Sequence, residues 1–447
     1  RDRSVSRGLG DVYKRQGTGC ADLADILFHP TTREIVLHDG ACVLQPYFFS
    51  HGDEKASCGY YAVELPGENI RVELTAAPRT GVHRYTFTGK GPRQVVVDLM
   101  HTIAEERVDM RELRTTAPDE IAGMRRTQGW VPDQYVFFSA RFSEPFADVR
   151  LLGDKQAVLA FAPDTETLTI AVGLSSVSAE NARLNSVAEV PELDFDAVHA
   201  RAAALWREAL GDIVVEGGSR DEMVNFYTAL YHTMIAPFAY QDVDGRYLGM
   251  DKKVHTAEPG YVNYSVFSLW DTFRALHPLM TIINPALATD WGKVLVQGYK
   301  EGGILPKWPL ASSYTGCMVG YPAVSVLADL VAKDLAEGDM STWAEAGARS
   351  SVYREDLAEK FRGTRELDLI TMHPYYKEKY GFVPADSVPE SVSWGLEMAY
   401  EDWCISQIAK KAGNIELANE YAKKAEYYKR YLDPETKMMR PVTVSYT

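Results

Sequence analysis

Pro191-Glu192-Leu193-Asp194-Phe195 is where the chain changes period. Before it, β-rich runs follow one another closely. Ile70-Arg71-Val72-Glu73-Leu74 alternates apolar and polar residues. Val95-Val96-Val97-Asp98-Leu99 and Tyr135-Val136-Phe137-Phe138 are rich in β-branched and aromatic side chains, the types that fit a pleated, half-buried surface. Ala157-Val158-Leu159-Ala160-Phe161, the turn residues Pro163-Asp164-Thr165-Glu166-Thr167 and then Leu168-Thr169-Ile170-Ala171-Val172 read as a hairpin. Short strands with frequent turn signals predict a β-sandwich over residues 17–190. After the switch, Asp194 is placed to cap a helix running to about Leu210, so 191–217 reads as a linker helix. Beyond Gly217 the spacing is helical. Met223, Phe226, Tyr227, Leu230, Tyr231 and Met234 form one apolar stripe, and Leu396, Ala399, Tyr400, Trp403, Cys404 and Ile408 form another. The pattern predicts helices near 219–236, 269–283, 286–300, 320–335, 341–361, 392–412 and 415–432. Helices joined by long loops suggest a toroid of helix pairs, and seven are too few to close a six-pair ring.

The 447 residues exceed one ordinary core, so two domains are expected. A formal net charge of -15 argues against nucleic acid or an anionic membrane as the main partner. The five cysteines, Cys20, Cys42, Cys58, Cys317 and Cys404, form no CxxC pair and no metal-ligand spacing. They read as buried free thiols, with a disulfide among the first three left open. No run is long and apolar enough to span a membrane, and no signal peptide is visible. Residues 1–16 are basic and aperiodic; they and 444–447 read as non-native sequence and are set aside from the fold.

The chemistry-bearing residues lie in the helical half. Trp270, Asp271 and Arg274 stand together where a loop becomes a helix. A ring face, a carboxylate and a guanidinium suit sugar binding, through apolar contact and charge-assisted hydrogen bonds. Ser268-x-x-Asp271 is equally a capping box, with Asp271 bonding the Ser268 backbone N–H, and Arg274 is placed to hold the Asp271 carboxylate. Trp308 lies between Pro306 and Pro309, which keep the chain extended; it serves as a sugar platform or as a loop anchor. Tyr314, in Ser312-Ser313-Tyr314-Thr315-Gly316, precedes a helix whose N-terminus can bind ligand oxygens or simply be capped. Glu390 precedes another helix, facing a pocket or only favouring the helix dipole. Glu401 and Asp402, further along that helix, read as solvated. His51, in a charged loop, reads as a surface turn. There is no Gly-rich phosphate loop, no HExxH and no Gly-x-Ser-x-Gly. A carboxylate pair for acid and base work meets in space, so spacing does not pick one out.

Taken together, the ordered motifs resemble the α-mannosidases of glycoside hydrolase family 92. The resemblance rests on Gly17-Thr18-Gly19-Cys20-Ala21-Asp22, on Ser50-His51-Gly52-Asp53-Glu54-Lys55 and on Arg79-Thr80-Gly81-Val82-His83. In the helical half it rests on Phe267-Ser268-Leu269-Trp270-Asp271-Thr272-Phe273-Arg274, Leu305-Pro306-Lys307-Trp308, Tyr314-Thr315-Gly316-Cys317-Met318-Val319-Gly320, Glu390-Ser391-Val392-Ser393 and Tyr400-Glu401-Asp402-Trp403-Cys404. It implies a β-sandwich lacking its N-terminal part, followed over 218–441 by the first part of an (α/α)6 barrel. It further implies calcium-dependent, inverting exo-hydrolysis of terminal α-mannosides of glycans, with Asp271 contacting the mannose. In the family, the general acid, the general base and most calcium ligands lie in the second half of the helical domain. Their motifs, Thr-Glu-Gly-Asn and Gly-Asn-Asp-Asp, do not occur here. The expectation is therefore a fragment inactive as written, with the acid and base beyond residue 447 and no metal ligand assigned. Tyr314 stands where many relatives have the Glu of Asn-Glu-Thr, and Pro389 where some have His, which implies an altered pocket rim. A secreted, periplasmic or cell-surface setting is implied by the resemblance alone. The rival readings are an inverting disaccharide phosphorylase-like enzyme and a non-catalytic carbohydrate-binding protein.

Overall fold

A computed structural model describes residues 26–103 and 106–444. The resemblance motif at 17–22, Cys20 and the segments 1–16 and 445–447 fall outside the described residues. The chain divides into two compact units, one reaching to Ile235 and including Ala239–Leu248, the other holding Ala236–Phe238 and the residues from Gly249 on.

The first unit is sheet-rich. Its strands are β1 (Leu27–Thr31), β2 (Leu37–His38), β3 (Ala41–Cys42), β4 (Glu54–Ser57), β5 (Tyr60–Leu65), β6 (Ile70–Ala76), β7 (Thr80–Phe87), β8 (Gln94–Asp98), β9 (Arg107–Ala117), β10 (Glu120–Gln128), β11 (Gln134–Phe142), β12 (Asp148–Leu152), β13 (Gln156–Ala160) and β14 (Thr167–Ser175). A four-stranded sheet has the order β1-β8-β13-β12, and an eight-stranded sheet the order β4-β5-β6-β7-β14-β11-β10-β9. Their inner faces share one core, in which Phe28, Val95, Val97 and Leu159 meet Val72, Leu74, Phe138, Leu168 and Ile170. This is the predicted sandwich.

The hairpin expected across 157–172 does not form. β13 pairs with β8 and β12, Val95 facing Leu159, whereas β14 lies between β7 and β11, Ile170 facing His83 and Phe142. The turn at 163–166 carries the chain from one sheet to the other. Both runs are nearly continuous apolar sequence, which marks double-sided burial but not the neighbour.

The helix expected after Asp194 forms, and another precedes it inside the stretch 17–190 read as sandwich. In α1 (Ala179–Glu189) the Ser178 hydroxyl accepts from the Asn181 N–H, and in α2 (Phe195–Leu210) the Asp194 carboxylate accepts from Ala197 N–H at 3.0 Å. Phe195 and Val198 of α2 pack on Val82 and Ala171, on the outer face of the large sheet. The segment 239–248 is held to this unit by Asp242, which accepts from Ser175 Oγ at 2.7 Å, Asn181 Nδ2 at 2.8 Å and Asn185 Nδ2 at 2.7 Å. Burial raises the Asp242 carboxyl above its ordinary value, against those three donors. Helix α3 (Arg220–Thr233) begins in a capping box between Ser219 and Glu222.

The second unit is helical. Its helices are α4 (Leu269–Thr272), α5 (Leu276–Ile283), α6 (Pro285–Gly302), α7 (Ala323–Ala332), α8 (Met340–Ser350), α9 (Glu355–Lys360), α10 (His373–Tyr380), α11 (Ser391–Lys411) and α12 (Ile415–Lys424). The single helix expected over 269–283 is broken between α4 and α5, beside Pro278, whose ring and missing N–H oppose a continuous ladder. The helix expected over 341–361 divides into α8 and α9. Beyond Lys424 the predicted helix continues as a 3-10 segment, Ala425–Tyr431. Helix α11 packs against α7, α8 and α12.

Candidate active site

At the loop-to-helix junction, Asp271 is exposed and sits in the single turn of α4. Its carboxylate accepts from the Ser268 hydroxyl, and its own N–H bonds the Ser268 carbonyl at 3.1 Å. The Ser268 backbone N–H expected of a capping box is not its partner, so the carboxylate keeps free acceptor positions facing solvent. Arg274 does not hold Asp271. Its guanidinium donates to Glu397 Oε1 at 2.6 Å and lies 4.5 Å over the Phe273 ring and 5.7 Å from the Trp270 ring. The partner is 123 residues distant in sequence, and no local spacing signals it. Trp270 is partly buried, and its indole N–H has no acceptor among the described residues.

The loop motifs lie deeper. Pro309–Leu310 pairs with Ser313–Tyr314 around Ala311 and Ser312, both left-handed at φ 47° and 59°, as a two-residue I′ hairpin requires. Trp308 is buried, and its carbonyl accepts from Thr315 Oγ1 at 2.9 Å. Tyr314 is 1% exposed, packed with Ile304, Leu357, Phe361 and Leu369, and its hydroxyl donates to Ile304 O at 3.0 Å. In this chain Tyr314 is thus core, whereas the sequence reading had it on a pocket rim. Glu390 is exposed in a left-handed conformation, φ 54°, at the N-cap of α11. The preceding Pro389 carbonyl accepts from His373 Nε2 at 3.0 Å.

The reading of Glu401 and Asp402 as solvated is wrong; both are 0% exposed. With α7, α8 and α12 packed around it, α11 turns Glu401 and Asp402 inward at that height and leaves Tyr400 and Trp403, 42% and 48% exposed, on its solvent face. Lys377 Nζ bonds both Asp402 oxygens at 3.0 Å and donates to the Tyr321 hydroxyl at 2.9 Å, and that hydroxyl in turn donates to Asp402. Burial raises the Asp402 carboxyl, and Lys377 pulls it the other way. Glu401 Oε2 accepts from Tyr321 N–H at 2.8 Å, while Oε1 has no partner among the described residues. Burial holds Glu401 well above the usual carboxylate range. A Cβ on Gly320 would lie 2.3 Å from Oε1, and its φ is +69°; both favour glycine there.

Residues 181–445 match the Glycosyl hydrolase family 92 catalytic domain, and residues 6–178 the family's N-terminal domain. The chain belongs to glycosyl hydrolase family 92.

Among solved structures, this family 92 chain is similar to the GH92 alpha-mannosidase BT3965 from Bacteroides thetaiotaomicron, at 31% identity and TM-score 0.85 over 96% of this chain and 60% of that one. The same enzyme in complex with mannoimidazole gives 32% identity, TM-score 0.84 and coverage of 96% and 58%. The inverting mannosidase BT2199 from the same species gives 28%, 0.81, and 94% and 57%. The chain therefore spans about 60% or less of the length of these relatives. No curated protein matches it. Among the described residues no group of three or more His, Cys, Asp or Glu gathers to hold a metal ion. No described helix is long and apolar enough to cross a membrane.

Proposed function

We propose that this family 92 chain is part of an inverting, calcium-dependent exo-α-mannosidase that removes terminal α-mannose from glycans outside the cytoplasm. What supports the reading most is the likeness to an α-mannosidase at 31% identity and TM-score 0.85 over 96% of the chain. That relative's structure with mannoimidazole and the second relative's description as inverting support the substrate class and the stereochemistry.

In this proposal Asp271 and Trp270 bind the terminal sugar. The exposed carboxylate, steadied by Ser268, accepts from hydroxyls in charge-assisted hydrogen bonds. Trp270, partly buried beside it, offers its ring for apolar contact. Arg274 is held by Glu397, so it shapes the rim and leaves Asp271 free. Inversion needs a carboxylic acid at the leaving oxygen and a carboxylate activating water on the opposite face. Neither is assigned among residues 1–447. In this reading both, with most calcium ligands, fall in the part of the relatives' length that this chain does not span, and the 447-residue chain alone is expected to release no mannose.

The test compares this chain with the complete open reading frame that contains it, on α-mannobioses, with NMR detection of the first anomer released. The intact enzyme is expected to release β-mannose, to stop on EGTA treatment and to need no phosphate. Asp271→Asn is expected to lower kcat/KM roughly 10- to 100-fold, the loss of a hydrogen bond to a charged group. Release of α-mannose would overturn inversion, and mannose 1-phosphate formed only with phosphate would establish the phosphorylase reading. Binding of mannose without release by the intact protein would leave the non-catalytic one.

A further inference from the structure

Arg274 has two carboxylates to choose between, and the choice decides what Asp271 can do. Asp271 stands three positions before it, a spacing at which an acid and an arginine pair on a helix surface. A guanidinium forked onto a carboxylate takes up both of its oxygens, the acceptors that sugar hydroxyls would use. Among the described residues that pair does not form. Helix α4 is a single turn ending at Thr272, and Arg274, just beyond it, donates to Glu397 Oε1 at 2.6 Å. Both anchors of the guanidinium trace to α11. Glu397 supplies the charge directly, on a side chain 18% exposed against 49% for Arg274. The Phe273 ring, 4.5 Å from the guanidinium, is stacked on Tyr400 at 5.6 Å, and Tyr400 lies three positions after Glu397 on the same helix. Among the described residues Glu397 pairs with no second cation. An ion pair with one partner half exposed adds little to stability, so what Glu397 contributes is direction: it sets where Arg274 points.

We infer, on the reading of Asp271 as a sugar-binding residue, that Glu397 is a positioning residue of the sugar site, drawing Arg274 away from Asp271 and so keeping that carboxylate open to sugar hydroxyls. Without the Glu397 charge, Asp271 is the acid that spacing leaves to Arg274. The guanidinium then closes over the carboxylate, and a sugar has to displace it. Charge separates this role from a steric one. Glu397→Gln keeps the side-chain volume and removes the charge, and deleting the guanidinium as well removes the competitor.

The test pairs structure with kinetics. In a crystal structure of the 447-residue chain carrying Glu397→Gln, the Arg274 guanidinium is expected within about 4 Å of the Asp271 carboxylate, the distance of an ion pair; in the wild-type crystal it is expected on Glu397. In the intact enzyme, Glu397→Gln is expected to raise KM for α-mannobiose about tenfold with a smaller change in kcat, the pattern of lost binding. Adding Arg274→Met to it is expected to recover most of that affinity, which a merely structural role for the ion pair does not allow. Circular dichroism and the urea midpoint check that each variant folds. Arg274 remaining clear of Asp271 in the Glu397→Gln crystal would overturn the inference, and so would a folded double variant as weak as Glu397→Gln. If Arg274 closes on Asp271 in the crystal while neither Glu397→Gln nor Asp271→Asn alters KM, the hold of Glu397 on Arg274 stands and the sugar reading of Asp271 falls.

Discussion

Lys377 and Asp402 form an ion pair from which water is excluded, and the two residues respond differently to removal of one partner or both. Lys377→Met leaves a carboxylate and the Tyr321 hydroxyl without their cation, and the expected loss is about 3–5 kcal/mol. The double variant Lys377→Met, Asp402→Leu removes both charges and is expected to recover most of it, because the desolvation cost disappears with the attraction. Urea unfolding of the three proteins checks this; equal losses for single and double variants would show that the pair is not coupled. Tyr314 offers a second contrast. Tyr314→Phe leaves the Ile304 carbonyl without its donor and is expected to cost about 1 kcal/mol. Tyr314→Ala empties a site in the apolar cluster and is expected to cost about 3–5 kcal/mol. None of these roles is written locally in the sequence. Lys377 meets Asp402 from 25 positions away, and adjacent acids on a helix otherwise read as its wet face.

At the scale of elements, the caps and periods are legible and the pairings are not. Asp194 caps α2 and Leu210 ends it, because a cap and a stop act through neighbours in sequence. The break between β13 and β14 is invisible, since two apolar runs joined by a turn describe a hairpin and a sheet crossing equally well. At the loop-to-helix junction, the grouping of Trp270 with Asp271 is legible from residue type and position, but the Arg274 partner is not, for Glu397 arrives on another helix. The end of α6 shows how closely elements meet. A Cβ on Gly302 would lie 1.8 Å from the Tyr314 hydroxyl oxygen and 2.7 Å from its Cζ. Gly302→Ala must therefore push the 313–314 strand away from α6, at an expected cost of about 1–3 kcal/mol. In a double-mutant cycle with Tyr314→Phe, the two changes are expected to be non-additive, because deleting the hydroxyl relieves the nearest contact and leaves the ring contact. Strict additivity would mean that α6 shifts without sensing Tyr314.

Each unit of the molecule carries buried histidines, and these give the whole chain a common response to acid. In the sheet unit, His83 lies against Tyr85, Nδ1 to hydroxyl 2.7 Å, and burial lowers it to about 4. His29, stacked on Tyr47, is lowered to about 4, by burial first and then by Arg33 and His101. In the helical unit, His277 lies between Phe267 and Trp291, and burial lowers it to about 3. The ordinary value is 6.5. Between these limits the unfolded chain binds protons that the folded chain refuses, so stability rises with pH there. It is fully present above about 6.5 and is lost as pH falls towards 3–4, by an amount on the order of 3–5 kcal/mol for each histidine. His277→Leu isolates one contribution. His277 Nε2 has no partner among the described residues, so the substitution abandons no hydrogen bond there and nearly conserves volume. Its cost at pH 7.5 is expected to stay below about 1.5 kcal/mol. At pH 4.5 the variant is expected to be the more stable protein, and its urea midpoint to fall less steeply between the two pH values than that of the wild type. An unchanged slope would mean that His277 is protonated in the folded chain, and that a proton reaches the space between Phe267 and Trp291 without unfolding the helical unit.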